Sequence, residues 1–331
     1  MHMADALVSP LVAGTLYACS GIATGYALKK IKTEDINHKI PVMGVLGAFV
    51  FATQMINFTI PGTGSSGHLT GGMMLSAILG PEAGFLTMIA ILLIQCLMFA
   101  DGGILALGCN VWNMGFYGCF VGGYLIWNLF MRNGFSKSKI VWASIVGCVL
   151  SLQLGAFSVT LETLASGITE LPFAAFLSFM QPIHLAIGLV EGLITAAVLL
   201  FVYQARPTLL CGYSEGNPGR SVKVSTLTGV IGACAVVIGG LLSWFASSLP
   251  DGLEWSLLQV TGSTELEAEG GLYQWAGEAQ EQLAVMPDYG FVEAESLMGT
   301  SLAGITGALL VLALCVIICL IIKKVKHEPH Q

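Results

Sequence analysis

Charged residues are scarce in this sequence. Asp, Glu, Lys and Arg make up only 10% of its 331 residues, whereas hydrophobic residues make up 55% and the mean hydropathy is +0.80. A soluble domain contains roughly 25% charged residues, so this chain has too few to cover a water-facing surface. Apolar stretches of about 20 residues, the length of a membrane-spanning helix, recur along it. The composition therefore excludes an ordinary soluble protein and indicates an integral membrane protein in contact with lipid.

Three kinds of motif are also missing. The sequence contains no Gly-Lys dipeptide and therefore no P-loop to bind ATP phosphates. It has no basic patch with interleaved aromatic residues, so nucleic-acid binding is not indicated. None of the nine cysteines forms a Cys-x-x-Cys pair, so a thiolate metal site is not indicated either. No catalytic constellation is left, and we predict that the chain is not an enzyme and holds no cofactor.

Nine apolar stretches are predicted to cross the membrane as helices. They lie near residues 6–28, 40–56, 68–80, 81–100, 106–130, 140–165, 180–204, 225–247 and 299–322. The third and fourth are divided at Gly80-Pro81, because proline breaks helices. All thirteen Lys and Arg residues then fall on one side of the membrane, and that side is cytoplasmic by the positive-inside rule. We expect a multi-pass protein of the cell (inner) membrane, with its N-terminus outside and its C-terminus in the cytoplasm.

A cleaved signal peptide is the main alternative for residues 1–25. A signal peptide carries its positive charge before the apolar region. Here the first lysine, Lys29, follows the apolar region, so a retained first span is favoured.

The spans divide the chain into two parts. Residues 1–204 contain seven spans, residues 205–224 form a cytoplasmic linker with turn-forming Pro and Gly residues, and residues 225–331 contain two spans. Between these two spans lies an external loop, 248–298, that has no Lys or Arg but holds half of the 20 acidic residues. The predicted fold is an all-α membrane protein: a seven-helix bundle plus two further helices flanking an external acidic loop.

The first two residues offer nitrogen ligands for a metal ion. The amine of Met1, the backbone amide of His2 and its imidazole can close adjacent chelate rings, which places three nitrogens in one plane around an ion. Such a planar field suits Ni(II) or Cu(II). His68 lies on the predicted external side, after a Gly- and Ser-rich run, and is the candidate for the fourth nitrogen. A solvated loop histidine is the alternative role for His68.

Four separated motifs resemble the CbiM/NikM family, the substrate-binding components of energy-coupling-factor transporters for cobalt and nickel. They occur in order within residues 1–204: Met1-His2-Met3-Ala4-Asp5, the loop from Asn57 to Gly72, Leu107–Gly115, and Gln181-Pro182-Ile183-His184-Leu185-Ala186. In addition, Pro250-Asp251-Gly252-Leu253-Glu254 resembles the PDGLE motif of the small two-span partner called NikN in nickel systems. The chain is thus similar to a fusion of the two components.

The resemblance implies a site and a function. The metal ligands would be the Met1 amine, His2 through its amide and ring, and His68. The function would be high-affinity uptake of a divalent metal, nickel more than cobalt, together with a transmembrane coupling subunit and two ATP-binding ATPase subunits. A stand-alone ion-coupled metal permease is the alternative function, and a membrane metal sensor is a third, disfavoured because no cytoplasmic domain follows residue 322.

Other polar residues are candidates for supporting the ligands. Metal-bound histidine commonly donates its other ring N–H to a carboxylate or carbonyl. The candidates are Asp5, Gln54, Asn57, Asn110 and Asn113, and hydrogen bonding between helices is their alternative role. For His184, in the seventh span, a hydrogen bond in helix packing is favoured, with metal ligation as the alternative.

Overall fold

The computed structural model describes residues 1–31, 33–214, 222–291 and 297–327. These residues are mainly helical, with one short hairpin. The helices are α1 (Pro10–Lys30), α2 (Thr33–Gln54), α3 (Gly72–Leu79), α4 (Pro81–Phe99), α5 (Leu107–Met131), α6 (Lys137–Ser166), α7 (Phe173–Ala205), α8 (Val224–Gly240), α9 (Gly252–Thr261), α10 (Gly271–Leu283) and α11 (Leu297–His327). The strands are β1 (Phe58–Ile60) and β2 (Ser65–Gly67).

Among the residues that the structure describes, six helices are long and apolar enough to cross a membrane, namely α1, α4, α5, α6, α7 and α11. The apolar segments Pro41–Gln54 of α2 and Val224–Gly240 are shorter. The predicted third span, 68–80, consists of a loop and the eight-residue α3, whose residues are all buried. The described residues therefore form a helical membrane protein, while the count of seven plus two spans stays a prediction.

Proline and glycine set the junction between α3 and α4. Gly80 adopts a φ of +85° after the last residue of α3, and α4 begins at Pro81, as predicted. Proline is favourable at the first helical position because the N–H that it lacks would have no partner in the helix. α1 begins in the same way at Pro10, with the Ser9 hydroxyl accepting from the backbone N–H of Val12 at 3.4 Å.

The hairpin β1–β2 carries His68 at its end. The strands pair antiparallel with Phe58 opposite Gly67, and their connection uses Gly62 and Gly64, both at positive φ. At Gly67 a side chain has no room, because a Cβ there would lie 2.5 Å from the Ile187 side chain of α7. The hairpin is therefore pressed against α7, which places the next residue, His68, inside the bundle.

The acidic segment 248–298, predicted as an external loop, contains two helices, α9 and α10. Just before α9 the segment joins the hairpin, where the N–H of Ser66 donates to the carbonyl of Pro250 at 2.8 Å. α9 packs against α7 and α10 against α4, while α8 and α11 pack against α2. The C-terminal part of the chain therefore lies on the N-terminal bundle and covers its N-terminal residues.

Candidate metal centre

The fold brings Met1 and His68 into contact although 67 residues separate them. Both are buried, and the Met1 amine lies 2.9 Å from Nε2 of His68. The other ring nitrogen, Nδ1, lies 3.0 Å from the carbonyl oxygen of Leu69. Because a carbonyl only accepts, Nδ1 carries the proton and Nε2 presents its lone pair to the amine. This is the tautomer that a metal ligand needs at Nε2.

His2 lies beside this pair. Its ring stacks on the ring of His68, with centroids 5.1 Å apart and planes 19° apart. Nδ1 of His2 lies 3.1 Å from Oδ1 of Asp101, and Nε2 lies 3.1 Å from Oε1 of Gln95. The Met1 amine and both predicted histidines are thus gathered in one place.

The His2 ring faces two acceptors but has one proton to give. Burial lowers the pKa of His2 from 6.5 to about 4, against the opposing effect of the Asp101 carboxylate. Above that pH the ring is neutral, so only one of its nitrogens is a donor. The other nitrogen faces an acceptor with no proton between them, an arrangement that a cation on that nitrogen relieves.

Asp251 closes the site from the C-terminal part of the chain. Its Oδ2 accepts from the Met1 ammonium at 2.5 Å and lies 3.7 Å from Nε2 of His68. Burial alone would raise the pKa of Asp251, but the Met1 ammonium and His68 outweigh it and hold the pKa well below the usual range. Its other oxygen, Oδ1, accepts from the backbone N–H groups of Leu253 and Glu254 at the start of α9. One carboxylate therefore joins the N-terminus to α9.

A chain of amides connects His2 to the loop after His68. Gln95, which faces His2, donates from Nε2 to Oε1 of Gln54 at 2.9 Å. Gln54 in turn donates to the carbonyl of Thr70 at 2.7 Å. The predicted supporting residue Gln54 therefore orients Gln95, which contacts His2 directly.

The other predicted supporting residues hold neighbouring backbone or line the site. Asn110 fixes Met3, accepting from its N–H at 2.7 Å and donating to its carbonyl at 3.1 Å. Asn113 donates to the Glu162 carboxylate at 2.9 Å and to the Met3 sulfur at 3.6 Å. The remaining two are Asp5, which accepts from the N–H of Ala106, and Asn57, which lines a cavity next to His2.

Glu191 of α7 fixes the loop that carries His68. Its carboxylate is buried and accepts three hydrogen bonds, from the N–H of Thr70 at 2.9 Å, the Thr70 hydroxyl at 2.7 Å and the N–H of Gly71 at 3.0 Å. These two residues follow His68 by two and three positions. The backbone that positions the His68 ring is therefore held by a carboxylate of α7.

Two cavities meet at the histidine pair. The larger, about 190 Å³, is lined by His2, His68 and four carboxylate residues, Asp101, Asp251, Glu254 and Asp288. The smaller has room for about one water molecule and is lined by Met1, His68, Asp251, Gly252 and His184. We call them the acidic cavity and the His184 cavity. His68 and Asp251 line both cavities.

Side chains alone do not make a metal site here. Among the described residues, no group of three or more His, Cys, Asp or Glu side chains is arranged to hold a metal ion. The Met1 amine and the backbone amide of His2 are further nitrogen donors at this place, and they belong to the main chain. The Met1 amine lies beside His68, as expected, while ligation by the Met1 amine, by the His2 amide and ring, and by His68 stays a prediction.

Comparison with known proteins follows the same division of the chain. A family model described as the cobalt uptake substrate-specific transmembrane region, CbiM, matches residues 2–209. The chain belongs to the CbiM family. A second model, the PDGLE domain, matches residues 225–324.

Relatives in the CbiM family include fused proteins of similar length. A protein of Archaeoglobus fulgidus assigned as a fused nickel transport protein NikMN is 32% identical over 314 residues, covering 95% of this chain and 96% of the relative. The cobalt transport protein CbiM of Sorangium cellulosum is 30% identical, covering 57% of this chain and 84% of the relative. The crystal structure of a truncated transition metal transporter superposes with a TM-score of 0.54 at 29% identity, covering 62% of this chain and 99% of that one.

Three residues of this CbiM-family site were not predicted from the sequence: Gln95, Asp101 and Asp251. Gln95 is the one amide in the apolar run 85–99, and polar residues at membrane depth are functional candidates by default. Asp101 follows directly at the end of that run. Asp251 is recognisable in the sequence only as part of the PDGLE-like motif. Its contact with Met1 spans 250 residues, which no local pattern predicts.

Proposed function

We propose that the chain is the substrate-binding component of a nickel or cobalt uptake system. The observation that carries the proposal is the contact of the Met1 amine with Nε2 of His68, with the His2 ring stacked beside it. The ion would be bound by the Met1 amine, the His2 amide and Nδ1, and His68 Nε2. Nδ1 of His2 would exchange Asp101 for the ion, while Gln95 stays on Nε2.

The distance between Met1 and His68 supports a shared ion. Metal–imidazole nitrogen bonds are about 2.0–2.1 Å long, so two nitrogens at a right angle on one ion lie about 2.8–3.0 Å apart. The amine and Nε2 lie 2.9 Å apart. Loss of the ammonium proton would leave two lone pairs at the spacing of neighbouring ligands, and the ion would take the place of that proton.

The acidic cavity supports entry of a cation next to these nitrogens. Its carboxylates would attract a hydrated divalent ion, because walls of low dielectric focus the field of their charges. Asp101 and Asp251 line this cavity and also contact His2 and Met1. We infer that the cavity is the route by which the ion reaches the chelate from the external side.

Nickel is the proposed principal substrate. A relative that matches nearly the whole chain is assigned as a nickel transport protein, and planar nitrogen ligation suits Ni(II). Cu(II) would bind the same nitrogens at least as tightly on the usual affinity order. Selectivity for nickel over copper would therefore come partly from geometry and partly from which metals are supplied on the external side.

Energy for transport would come from partner subunits. The chain has no P-loop, so ATP hydrolysis would take place in two separate ATPases joined through a transmembrane coupling subunit. α1 offers an exposed stripe of small residues for a helix of that subunit: Gly14, Ala18, Gly21 and Gly25. Small residues at this spacing let helices approach closely. The proposed orientation, N-terminus outside and C-terminus cytoplasmic, places the chelate on the external side.

Calorimetric titration of Ni(II) into the purified chain tests the proposal. His2→Ala and His68→Ala each remove a ring ligand, and we expect each to weaken Ni(II) binding by more than about 100-fold, the upper range for loss of an outer partner. His330→Ala removes a histidine that the proposal does not use and serves as the matched control. Native-like binding by both site variants would contradict the proposal.

Transport assays separate the proposal from a stand-alone permease. Cells that express the chain alone are compared with cells that also express a coupling subunit and two ATPases. We expect accumulation of radioactive nickel only in the second case, and only while the ATPases can hydrolyse ATP. Accumulation by the chain alone would show an ion-coupled permease instead.

A further inference from the structure

His184 has an unpartnered nitrogen deep in the protein. The residue lies on α7 and is 1% exposed. Its Nδ1 lies 2.8 Å from the carbonyl oxygen of Met180. Because that carbonyl can only accept, Nδ1 carries the proton and Nε2 is a bare lone pair. Nε2 is one of three buried side-chain polar atoms without a hydrogen-bond partner among the described residues, and buried polar atoms of this kind require an explanation.

The bare nitrogen opens toward the proposed metal ligands. His184 lines the His184 cavity together with Met1, His68 and Gly252. A Cβ at residue 252 would lie 3.3 Å from Nε2 of His184 and 3.1 Å from its Cε1. The absence of a side chain at Gly252 therefore keeps this edge of the ring uncovered. The cavity has room for about one water molecule. The same space would let the His184 ring move closer to an ion held by Met1 and His68.

We propose that His184 Nε2 is a fifth, axial ligand for Co(II) held by the nitrogens of Met1, His2 and His68. The inference rests on the proposed function and deepens it, since it concerns which ions the same site accepts. The planar nitrogens would make Co(II) low-spin, with a single electron in the d orbital perpendicular to the plane. That orbital binds one further donor, and a neutral imidazole nitrogen is a suitable donor for cobalt.

The same residue would stay unbound when the site holds nickel. Low-spin Ni(II) in a plane of four nitrogens has two electrons in the perpendicular orbital, so it repels an axial donor. Nickel would thus be four-coordinate and cobalt five-coordinate in one site. His184 would then stabilise cobalt selectively and narrow the difference in affinity between the two ions.

Electron paramagnetic resonance of the Co(II)-loaded chain tests the inference. The unpaired electron lies in an orbital along the axis, so one axial ¹⁴N nucleus splits each cobalt hyperfine line into three, and ¹⁵N-histidine labelling changes this to two. The native chain should show both patterns. His184→Asn keeps a donor for the Met180 carbonyl but removes the Nε2 ligand. We expect it to lose the splitting and to lower Co(II) affinity by at least about tenfold, with Ni(II) affinity unchanged.

Gly252→Ala gives an independent test that leaves His184 in place. The added methyl group would cover Nε2, so the three-line splitting should disappear in this variant too. If the native chain binds Co(II) without nitrogen splitting, or if His184→Asn keeps it, the inference is overturned and a water molecule is the partner of Nε2. If the native chain binds neither Co(II) nor Ni(II), the proposed function itself fails.

Discussion

Among single residues, the protonation states of Met1 and His2 determine which nitrogens are open to a cation. The Met1 ammonium occupies the position between Asp251 and His68, and an incoming ion would displace its proton. His2 is held neutral by burial between two acceptors. In the proposed site, protons and a metal ion would therefore compete for the same nitrogens.

His2 makes the folded state sensitive to acid. Its pKa falls from 6.5 to about 4 on folding, so between these values the unfolded chain binds more protons than the folded chain. Stability from this residue is present above pH 6.5 and is lost as the pH falls toward 4, by about 3 kcal/mol in all. We expect the melting temperature of the native chain in detergent to fall more between pH 7 and pH 4.5 than that of His2→Asn.

Other groups also titrate between pH 7 and pH 4.5. Their contributions to stability cancel when the native chain is compared with His2→Asn. Burial raises the pKa of Glu254 and of Asp5, and these groups contribute in the opposite direction in both chains. Asp251, with its pKa lowered well below 3.8, stays ionised throughout. Equal pH dependence in both chains would show that the His2 ring is not buried as described.

At the scale of elements, the position of His68 is set by α7. The hairpin delivers His68 to the bundle, and Glu191 then fastens the two residues Thr70 and Gly71. Hydrogen bonds to a buried charged group contribute about 1.5–3 kcal/mol each. A shift of α7 along its axis would therefore move the loop that carries His68, a proposed metal ligand, and would link the bundle to the proposed site.

Replacement of Glu191 by Gln tests this link. The amide nitrogen of Gln cannot accept, so at least one of the hydrogen bonds from Thr70 and Gly71 is lost. We expect Ni(II) affinity to fall by about 10–100-fold, the effect of losing a partner that orients a ligand. Titration calorimetry measures this effect, and Glu170→Gln, an exposed residue outside the site, is the matched control. Unchanged affinity in Glu191→Gln would show that the loop keeps His68 in place by itself.

Local chemistry allowed part of this arrangement to be predicted. The Gly80-Pro81 break and the long apolar helices follow from backbone rules and hydropathy. The proposal that Met1 and His2 supply chelating nitrogens comes from Met1-His2 itself and stays a prediction. The predicted third span, 68–80, contains the eight-residue α3, whose residues are all buried, and its status as a span stays a prediction. The helices inside the acidic segment were missed because its polar composition resembles that of a loop.

Contacts across the whole chain escaped prediction for another reason. Asp251 meets Met1, and Glu191 meets Thr70, at sequence separations of 250 and 121 residues. Such pairs depend on how the helices pack, which one sequence does not encode in any local pattern. The functional role of each predicted ligand stays a prediction.

At the scale of the molecule, the two-span part is held by close helix packing. α8 and α11 cross where Gly239 and Gly304 meet, and a Cβ at Gly304 would lie 2.3 Å from the carbonyl oxygen of Gly239. A Cβ at Gly307 would lie 2.1 Å from the ring of Phe51 in α2. α11 therefore approaches both neighbours more closely than any side chain at these positions allows.

A bulky residue at Gly304 should separate these helices. Overpacking costs about 1–3 kcal/mol, so we expect Gly304→Val to lower the melting temperature. Size-exclusion chromatography of samples heated to increasing temperatures measures this change. Gly14→Val on α1 is the matched control, because a Cβ there meets nothing within 4 Å. A similar loss of stability in both variants would contradict the packing described for α11.

The proposed metal site depends above all on the Met1 amine as a ligand of the ion. The direct test is Ni(II) binding to a chain extended by two residues before Met1, with the N-terminus of each preparation verified by intact mass. Two residues are needed, because one would place the histidine third and create a new planar chelate. We predict that the native chain shows the absorption spectrum of diamagnetic, square-planar Ni(II) and that the extended chain, though folded, shows neither this spectrum nor tight binding. Equal binding and the same spectrum in both chains would show that the Met1 amine does not bind the ion.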